Sequence, residues 1–260
     1  MSEELQRIVA CHRDLQERLC DRFLPSHVAS GLFNSTLPRM WDRNYVRLED
    51  PAAGIGELIA FAERAHASTG VAHRRIWVDD PGAGERLVPA FAAGGWAIQK
   101  LLVMVHRGEP QVDADLLAVA ELQEPALRPL REEISHEYDQ DEETRLQLLA
   151  AQRMTAEEID VRYFGVRRGT QVVSCCELYS RGAVAQIEDV VTAPAFRNQG
   201  LGRAVVLRAL DAAHSSGHDL VFLLADEDDW PKALYERLGF EPIARLHAFL
   251  KRPDLAAPDR

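Results

Sequence analysis

The residues best placed to do chemistry are Gly200-Leu201-Gly202-Arg203, approached through Pro194-x-x-Arg197. Two glycines one residue apart remove side chains where another group must come close to the main chain. Apolar residues then recur at helical spacing (Val206, Leu207, Leu210, Ala213), so the glycines open a helix. The first N–H groups of a helix lack internal partners and carry partial positive charge. Such a turn is an anion site that a pyrophosphate fits, and Arg197 and Arg203 bracket it with charge-assisted donors. It is not a Walker loop, because no Gly-Lys-Ser/Thr follows, and the G-x-G-x-x-G spacing of a Rossmann turn fails. Other reactive side chains are scattered. Cys11, Cys20 and the adjacent Cys175 and Cys176 lack metal-type spacing and read as small apolar side chains, and His136, His214, His218 and His247 form no ligand set, so no metal is expected. The run Asp226-Glu227-Asp228-Asp229 follows a predicted strand; it reads either as an attractor for a cationic amine or as a solvated turn in which Asp228 or Asp229 caps a helix through Pro231.

The elements that must position these groups are a strand over Val184–Thr192, the helix after Gly200, a buried-type strand over Leu220–Leu224, a short helix ending in Gly239-Phe240, and a last strand through Leu250. In that order the sequence resembles the GCN5-related N-acetyltransferase (GNAT) superfamily. The match is Pro194-x-x-Arg197-x-x-Gly200-x-Gly202 followed by Tyr235-x-x-Leu238-Gly239-Phe240.

The resemblance implies acetyl-CoA as cosubstrate, without a metal, in a V-shaped gap between the strand ending at Thr192 and the one ending near Leu224. Val190 and Thr192 would offer main-chain groups to an extended pantetheine, as in strand addition. Arg197, Asn198, Gln199, Gly200, Leu201, Gly202 and Arg203 would hold the pyrophosphate, chiefly through N–H groups. Tyr235 is implied as the acid beside the sulfur. Glu188 is the preferred base, directly or through water, because strand alternation puts it on the face of Val190 and Thr192; Asp189, on the other face, is the reserve. The family often carries an asparagine near the acidic run and this chain does not, while Trp230 suits a cofactor wall or the core equally. The implied activity is direct attack on the thioester by a primary amine of a small molecule or protein. The acceptor site would fall to about Arg128–Gln152, whose Glu132, Glu133, Glu137, Asp139 and Asp141 suit a cationic acceptor or a plain exposed helix. The alternative is a non-catalytic acyl-CoA-binding or scaffold protein. A homodimer is compatible with either.

The whole chain has 260 residues, 47% of them hydrophobic, enough for one large core or two modest ones. A net charge of −11 argues against a nucleic-acid partner, which needs clustered Lys and Arg. The opening MSEELQRIVACHRDLQERL is amphipathic and lacks the apolar core of a secretory signal, and no run has membrane-spanning length, so a cytoplasmic protein without a membrane partner is expected.

The spacing predicts a helix over 3–23, strands over 29–34 and 44–48, a helix over 55–67, a strand over 75–78, a helix over 87–93 and a strand over 96–105. After a boundary near Arg107–Ala114 come a strand over 116–122, helices over 126–137 and 142–153, and strands over 161–166, 171–179 and 184–192. The punctuation strand, Pro, Gly-x-Gly, helix, strand, helix, Gly-aromatic, strand occurs twice, first as Pro51, Gly54-Ile55-Gly56-Glu57 and Gly95-Trp96. The first copy is shorter before its glycines, has Glu57 in place of Arg203 and Phe91 in place of Tyr235, and so should not bind the cofactor. The expected architecture is α/β (α+β): a mixed, mostly antiparallel sheet flanked by helices, with two GNAT-like domains in tandem, 1–110 degenerate and 111–260 cofactor-binding.

Overall fold

The computed structural model describes residues 1–138 and 140–252; Asp139 lies outside the described residues. Helix α1 (Glu3–Leu19) starts where Ser2 Oγ accepts the Leu5 N–H and buries Leu5, Ile8, Val9, Leu15 and Leu19. It ends short of the expected Phe23, because the Asp21 N–H donates to Phe33 O at 3.0 Å and turns Arg22–Leu24 into strand β1. Strands β2 (Ala29–Phe33) and β3 (Tyr45–Leu48), helix α2 (Ile55–Ala67) and strand β4 (Arg74–Val78) follow as the spacing predicts. Helix α3 (Pro81–Ala93) begins earlier than its apolar spacing suggests. Asp80 caps it through the Ala83 N–H at 2.8 Å, Pro81 stands in its first turn, and Gly84 is needed because a Cβ there would lie 2.1 Å from the His247 ring.

Strand β5 (Ala97–His106) is followed by a 3-10 turn over Leu116–Ala118, where a strand was expected, and then by β6 (Val119–Leu122). Asp115 makes that turn by accepting the Leu117 N–H. Next come α4 (Arg128–Glu137), α5 (Glu142–Glu158), β7 (Asp160–Arg168), β8 (Gln171–Arg181), β9 (Val184–Thr192), α6 (Leu201–Ser215), β10 (Leu220–Asp226), α7 (Pro231–Arg237) and β11 (Phe240–Lys251). The N-cap of α7 is Trp230 with no side-chain cap, so neither Asp228 nor Asp229 caps it as expected; Asp229 Oδ1 instead accepts the adjacent Trp230 N–H at 2.7 Å.

The chain forms two compact units. One comprises Met1–Leu102, Asp226–Asp228 and, of the described residues, those from Ala244 to Arg252. Its strands run in the order β1-β2-β3-β4-β11, antiparallel except for the parallel pair β3 and β4. Val46, Leu48, Ile76 and Val78 point to one face, where they pack with Leu58, Ala62, Leu87, Phe91 and Phe249; the rings of Phe91 and Phe249 stack at 4.0 Å. On the other face the buried Arg47 pairs with Glu17 at 2.6 Å and Glu49 at 2.8 Å, and Arg13 of α1 bridges Glu49 at 2.9 Å and Asp79 at 2.5 Å.

The second unit comprises Val103–Ala225 and Asp229–Ile243. Its strands β10-β9-β8-β7-β6 are antiparallel except for the parallel pair β9 and β10. Cys175 belongs to the core with Leu122, Leu127 and Leu130, while the Cys176 thiol on the opposite face donates to Val205 O of α6 at 3.3 Å. All four cysteines are free thiols, Cys11 and Cys20 only half-buried. Both units are thus mixed α/β with mostly antiparallel sheets, and each contains strand, helix, parallel strand, helix: β3-α2-β4-α3 and β9-α6-β10-α7. No described helix is long and apolar enough to cross a membrane.

Candidate active site

In the second unit β9 and β10 pair from Val184–Gln186 to Leu220–Phe222, and among the described residues the pairing stops there although both strands run on. Separating parallel strands leave main-chain groups of β9 without a neighbour on that side. The chain then leaves β9 through the turn Pro194–Phe196, passes Asn198 at φ +62° and Gly200 at φ +79°, and enters α6 at Leu201. Both angles lie in the left-handed region, which asparagine tolerates and glycine adopts without penalty. Gly200 has a second reason to lack a side chain: a Cβ would sit 2.8 Å from Arg203 Nε, which folds back over it. As N-cap, Gly200 offers α6 no side-chain acceptor, so the first turn keeps its donors and positive end facing outward.

These residues open onto a cleft of about 580 Å³, within the usual size of a small-molecule site. Val190, Val191 and Thr192 of β9 form one wall, Arg197, Asn198, Gly200, Leu201, Gly202 and Arg203 the floor, and Asp229, Trp230, Leu234, Tyr235 and Arg237 the wall across from β9, with Ile134, Tyr138 and Phe196 at the side. Of the residues singled out from sequence, Val190, Thr192, Arg197, Asn198, Gly200, Leu201, Gly202, Arg203 and Tyr235 line this one cleft. Gln199 and Glu188 do not line it. Gln199 instead reaches Ala195 O at 3.5 Å. Trp230 is 71% exposed, so it walls the cleft rather than packing in the core. Tyr138 carried no sequence signal, being a lone aromatic at the end of an acidic helix; it is 69% exposed and lines the same cleft.

Electrostatics differ between the groups. Arg197 is engaged from two sides: its Nη atoms donate to both carboxylate oxygens of Glu137 at 2.6 and 2.5 Å and its Nε to Thr192 O at 3.1 Å. Tyr235 is buried, and its phenol pKa is raised, chiefly by loss of solvation and further by the nearby charge of Glu188. It therefore stays protonated through the physiological range. Among the described residues Arg203 Nε is buried without a hydrogen-bond partner, a donor left for something else.

Strand alternation does not survive along β9. Glu188 pairs with Glu177 and Val191 with Cys175, so three steps on β9 match two on β8, and Asp189 stands at φ +50° within the slip. This is a β-bulge, in which one extra residue resets the faces. Thr192, opposite Ser174 and bonded to its hydroxyl at 2.9 Å, lies on the opposite face from Glu188, which shares its face with Val191. The expectation that Glu188, Val190 and Thr192 share a face is corrected accordingly. Glu188 Oε1 accepts from Gln186.

The corresponding turn of the first unit carries different charges and partners. Helix α2 also starts at a glycine, Gly54, without a side-chain cap. Arg86, however, donates to Pro51 O at 2.6 Å and Ala53 O at 3.1 Å, Glu57 stands in the first turn, and Phe91 is a fully buried core ring.

Residues 119–240 match the family described as Acetyltransferase (GNAT) family. The matched stretch, rather less than half of the chain, contains every residue of the cleft just described. A glucosamine 6-phosphate N-acetyltransferase of Trypanosoma brucei brucei is 39% identical over 79 residues, 30% of this chain and 50% of that protein. The chain thus spans about half the length of the curated relative it matches. In fold it is similar to a GCN5-related N-acetyltransferase from Kribbella flavida, with a TM-score of 0.68, 18% identity and coverage of 98% of this chain and 97% of that one. It is also similar to a tandem GNAT protein from the clavulanic acid biosynthesis pathway, solved without AcCoA, with a TM-score of 0.56, 16% identity and coverage of 82% and 76%.

Proposed function

We propose that the second unit binds acetyl-CoA in the cleft between β9 and α7 and transfers its acetyl group to a primary amine of a small molecule or protein. The observation that carries this reading is the open start of α6, where Gly200 in the left-handed region leaves main-chain donors, Arg203 Nε and a positive helix end at the floor of a cleft that also holds a protonated tyrosine. The fit to a diphosphate rests on those donors. Arg197, Asn198, Gln199, Gly200, Leu201, Gly202 and Arg203 would hold it, and Val190 and Thr192 would meet the pantetheine. When bound, the cosubstrate supplies an activated acetyl thioester. Tyr235 holds a proton available to the departing thiolate, and the Glu188 carboxylate accepts the proton the amine must lose, directly or through water. The charge of Glu188 acts on Tyr235, so acid and base candidates lie within electrostatic reach of each other. The first unit, where Glu57 puts a negative charge in the first turn of α2 and Phe91 lacks the hydroxyl of Tyr235, serves as a non-binding copy.

The acceptor side falls to α4, α5 and their connection. Glucosamine 6-phosphate, the substrate in the relative's name, belongs in the first panel of amines beside polyamines and lysine peptides. Calorimetric titration with acetyl-CoA followed by detection of released thiol is the decisive experiment: one binding site per chain and turnover with at least one amine are expected. Absence of binding overturns the proposal, and binding without turnover on any amine favours the non-catalytic alternative.

A further inference from the structure

Asp189 combines two features that a strand residue rarely shows together: a left-handed backbone angle, φ +50°, and a side chain held from two different helices. Its Oδ2 accepts from Arg131 Nε of α4 at 3.3 Å and from Gln152 Nε2 of α5 at 3.4 Å. Arg131 is itself a fixed point. Its side chain is only 7% exposed, its Nη2 donates to the buried Glu177, Nη1 lies 3.8 Å from Glu124, and its guanidinium stands 5.8 Å from the Tyr163 ring centre. A charged anchor buried in this way is costly to move, because any displacement strands a carboxylate away from water. The residues after the reversal, Val190 and Val191, form the β9 wall of the cleft, and Ala193 rejoins the sheet through a 2.9 Å bond to Val173 O.

We propose that Asp189 is a positioning residue, and that its tether to Arg131 and Gln152 fixes the bulge in β9 and so the direction in which the peptide groups of Val190 and Val191 face the cosubstrate. The proposal rests on the reading of the cleft as an acetyl-CoA site. It also gives α4 and α5, the acceptor side, a mechanical hold on the strand that presents main-chain groups to the cosubstrate. A left-handed angle at a non-glycine residue needs outside support, and the tether supplies it.

Backbone and side chain are separable by substitution. Asp189→Gly keeps the angle accessible and removes the tether; Asp189→Asn keeps the angle tolerable and one acceptor for Arg131; Gln152→Ala removes half the tether and leaves the angle untouched. Three quantities are read on the full chain: amide hydrogen exchange over residues 188–191 without cosubstrate, acetyl-CoA affinity, and the split between kcat and KM. Asp189→Gly is expected to raise exchange over those amides and weaken acetyl-CoA binding about tenfold with little change in Tm, as loss of hydrogen bonds to a charged group implies. Asp189→Asn should recover most of the affinity, and Gln152→Ala should move both readings in the same direction by less. Exchange and affinity unchanged in Asp189→Gly overturn the proposal; so does a loss of affinity that only tracks a fall in Tm. If the parent protein itself ignores acetyl-CoA, the proposed function fails, and the exchange arm still decides whether the tether holds the bulge.

Discussion

Tyr235 is where the chemistry is most exposed to a single-atom test. Burial raises its pKa, so it can give a proton and has little tendency to lose one unprompted. Tyr235→Phe removes only the hydroxyl and keeps the ring beside Phe240, 6.3 Å away. The expected outcome is a kcat lower by about a hundredfold with acetyl-CoA affinity retained, the scale of a lost general acid; equal turnover in the two proteins would remove Tyr235 from that role. At this scale the sequence was informative wherever a residue type is its own signal. Gly200 had to be glycine for its angle and for Arg203, and Tyr235 stood at a fixed distance before Gly239-Phe240. Asp189 could not be weighed in the same way. Its conformation depends on Arg131, 58 residues earlier on another element, and alternation counted along β9 alone runs straight through the slip.

Among the elements, α2 carries the clearest pH dependence. His66 near its end is fully buried, its Nδ1 donating to Ala62 O at 2.8 Å while Nε2 accepts the Arg75 N–H at 3.2 Å, and burial pushes its pKa down to about 4. A histidine neutral in the folded state and ordinary in the unfolded one contributes stability that is intact above pH 6.5 and drains away as pH falls towards 4. His66 alone should lower unfolding free energy by about 2 kcal/mol between pH 7.5 and 5. His12 and His73, both held down by burial, act in the same direction. Urea unfolding at the two pH values measures this, and a stability equal at both would contradict it. Strong apolar spacing made α2 legible end to end and gave both ends of β9, though not the bulge inside it. The first turns of α3 were not legible, since they precede its apolar spacing and are set by the Asp80 cap and by Pro81 in the first turn. The end of α1 was also missed, because β1 exists only through pairing with β2.

Taken as a whole molecule, the units do not follow a single cut through the sequence. Strand β11 pairs with β4 from His247–Lys251 to Arg74–Val78, and Phe249 fills the core of the unit that begins at Met1. Phe249→Ala should therefore destabilise that unit by about 3–5 kcal/mol, the usual penalty for emptying a buried aromatic site. A fragment ending at residue 110, which lacks this strand altogether, should show no cooperative thermal transition by circular dichroism. A well-folded fragment would mean that β11 is dispensable there. The repeated order of strand, helix, parallel strand and helix was readable because glycines and prolines recur in order; which strand completes which sheet was not, since pairing partners far apart in sequence leave no local trace.

The placement of β11 has a consequence for biosynthesis. In order of synthesis the segment around Phe249, which packs into the core of the first unit, follows the stretch 119–240 that matches the acetyltransferase family. Until that strand is made, the apolar surface that Phe249 covers stays open, so nascent chains are expected to lean on holding chaperones, which a ribosome-bound chain stalled before residue 244 would report.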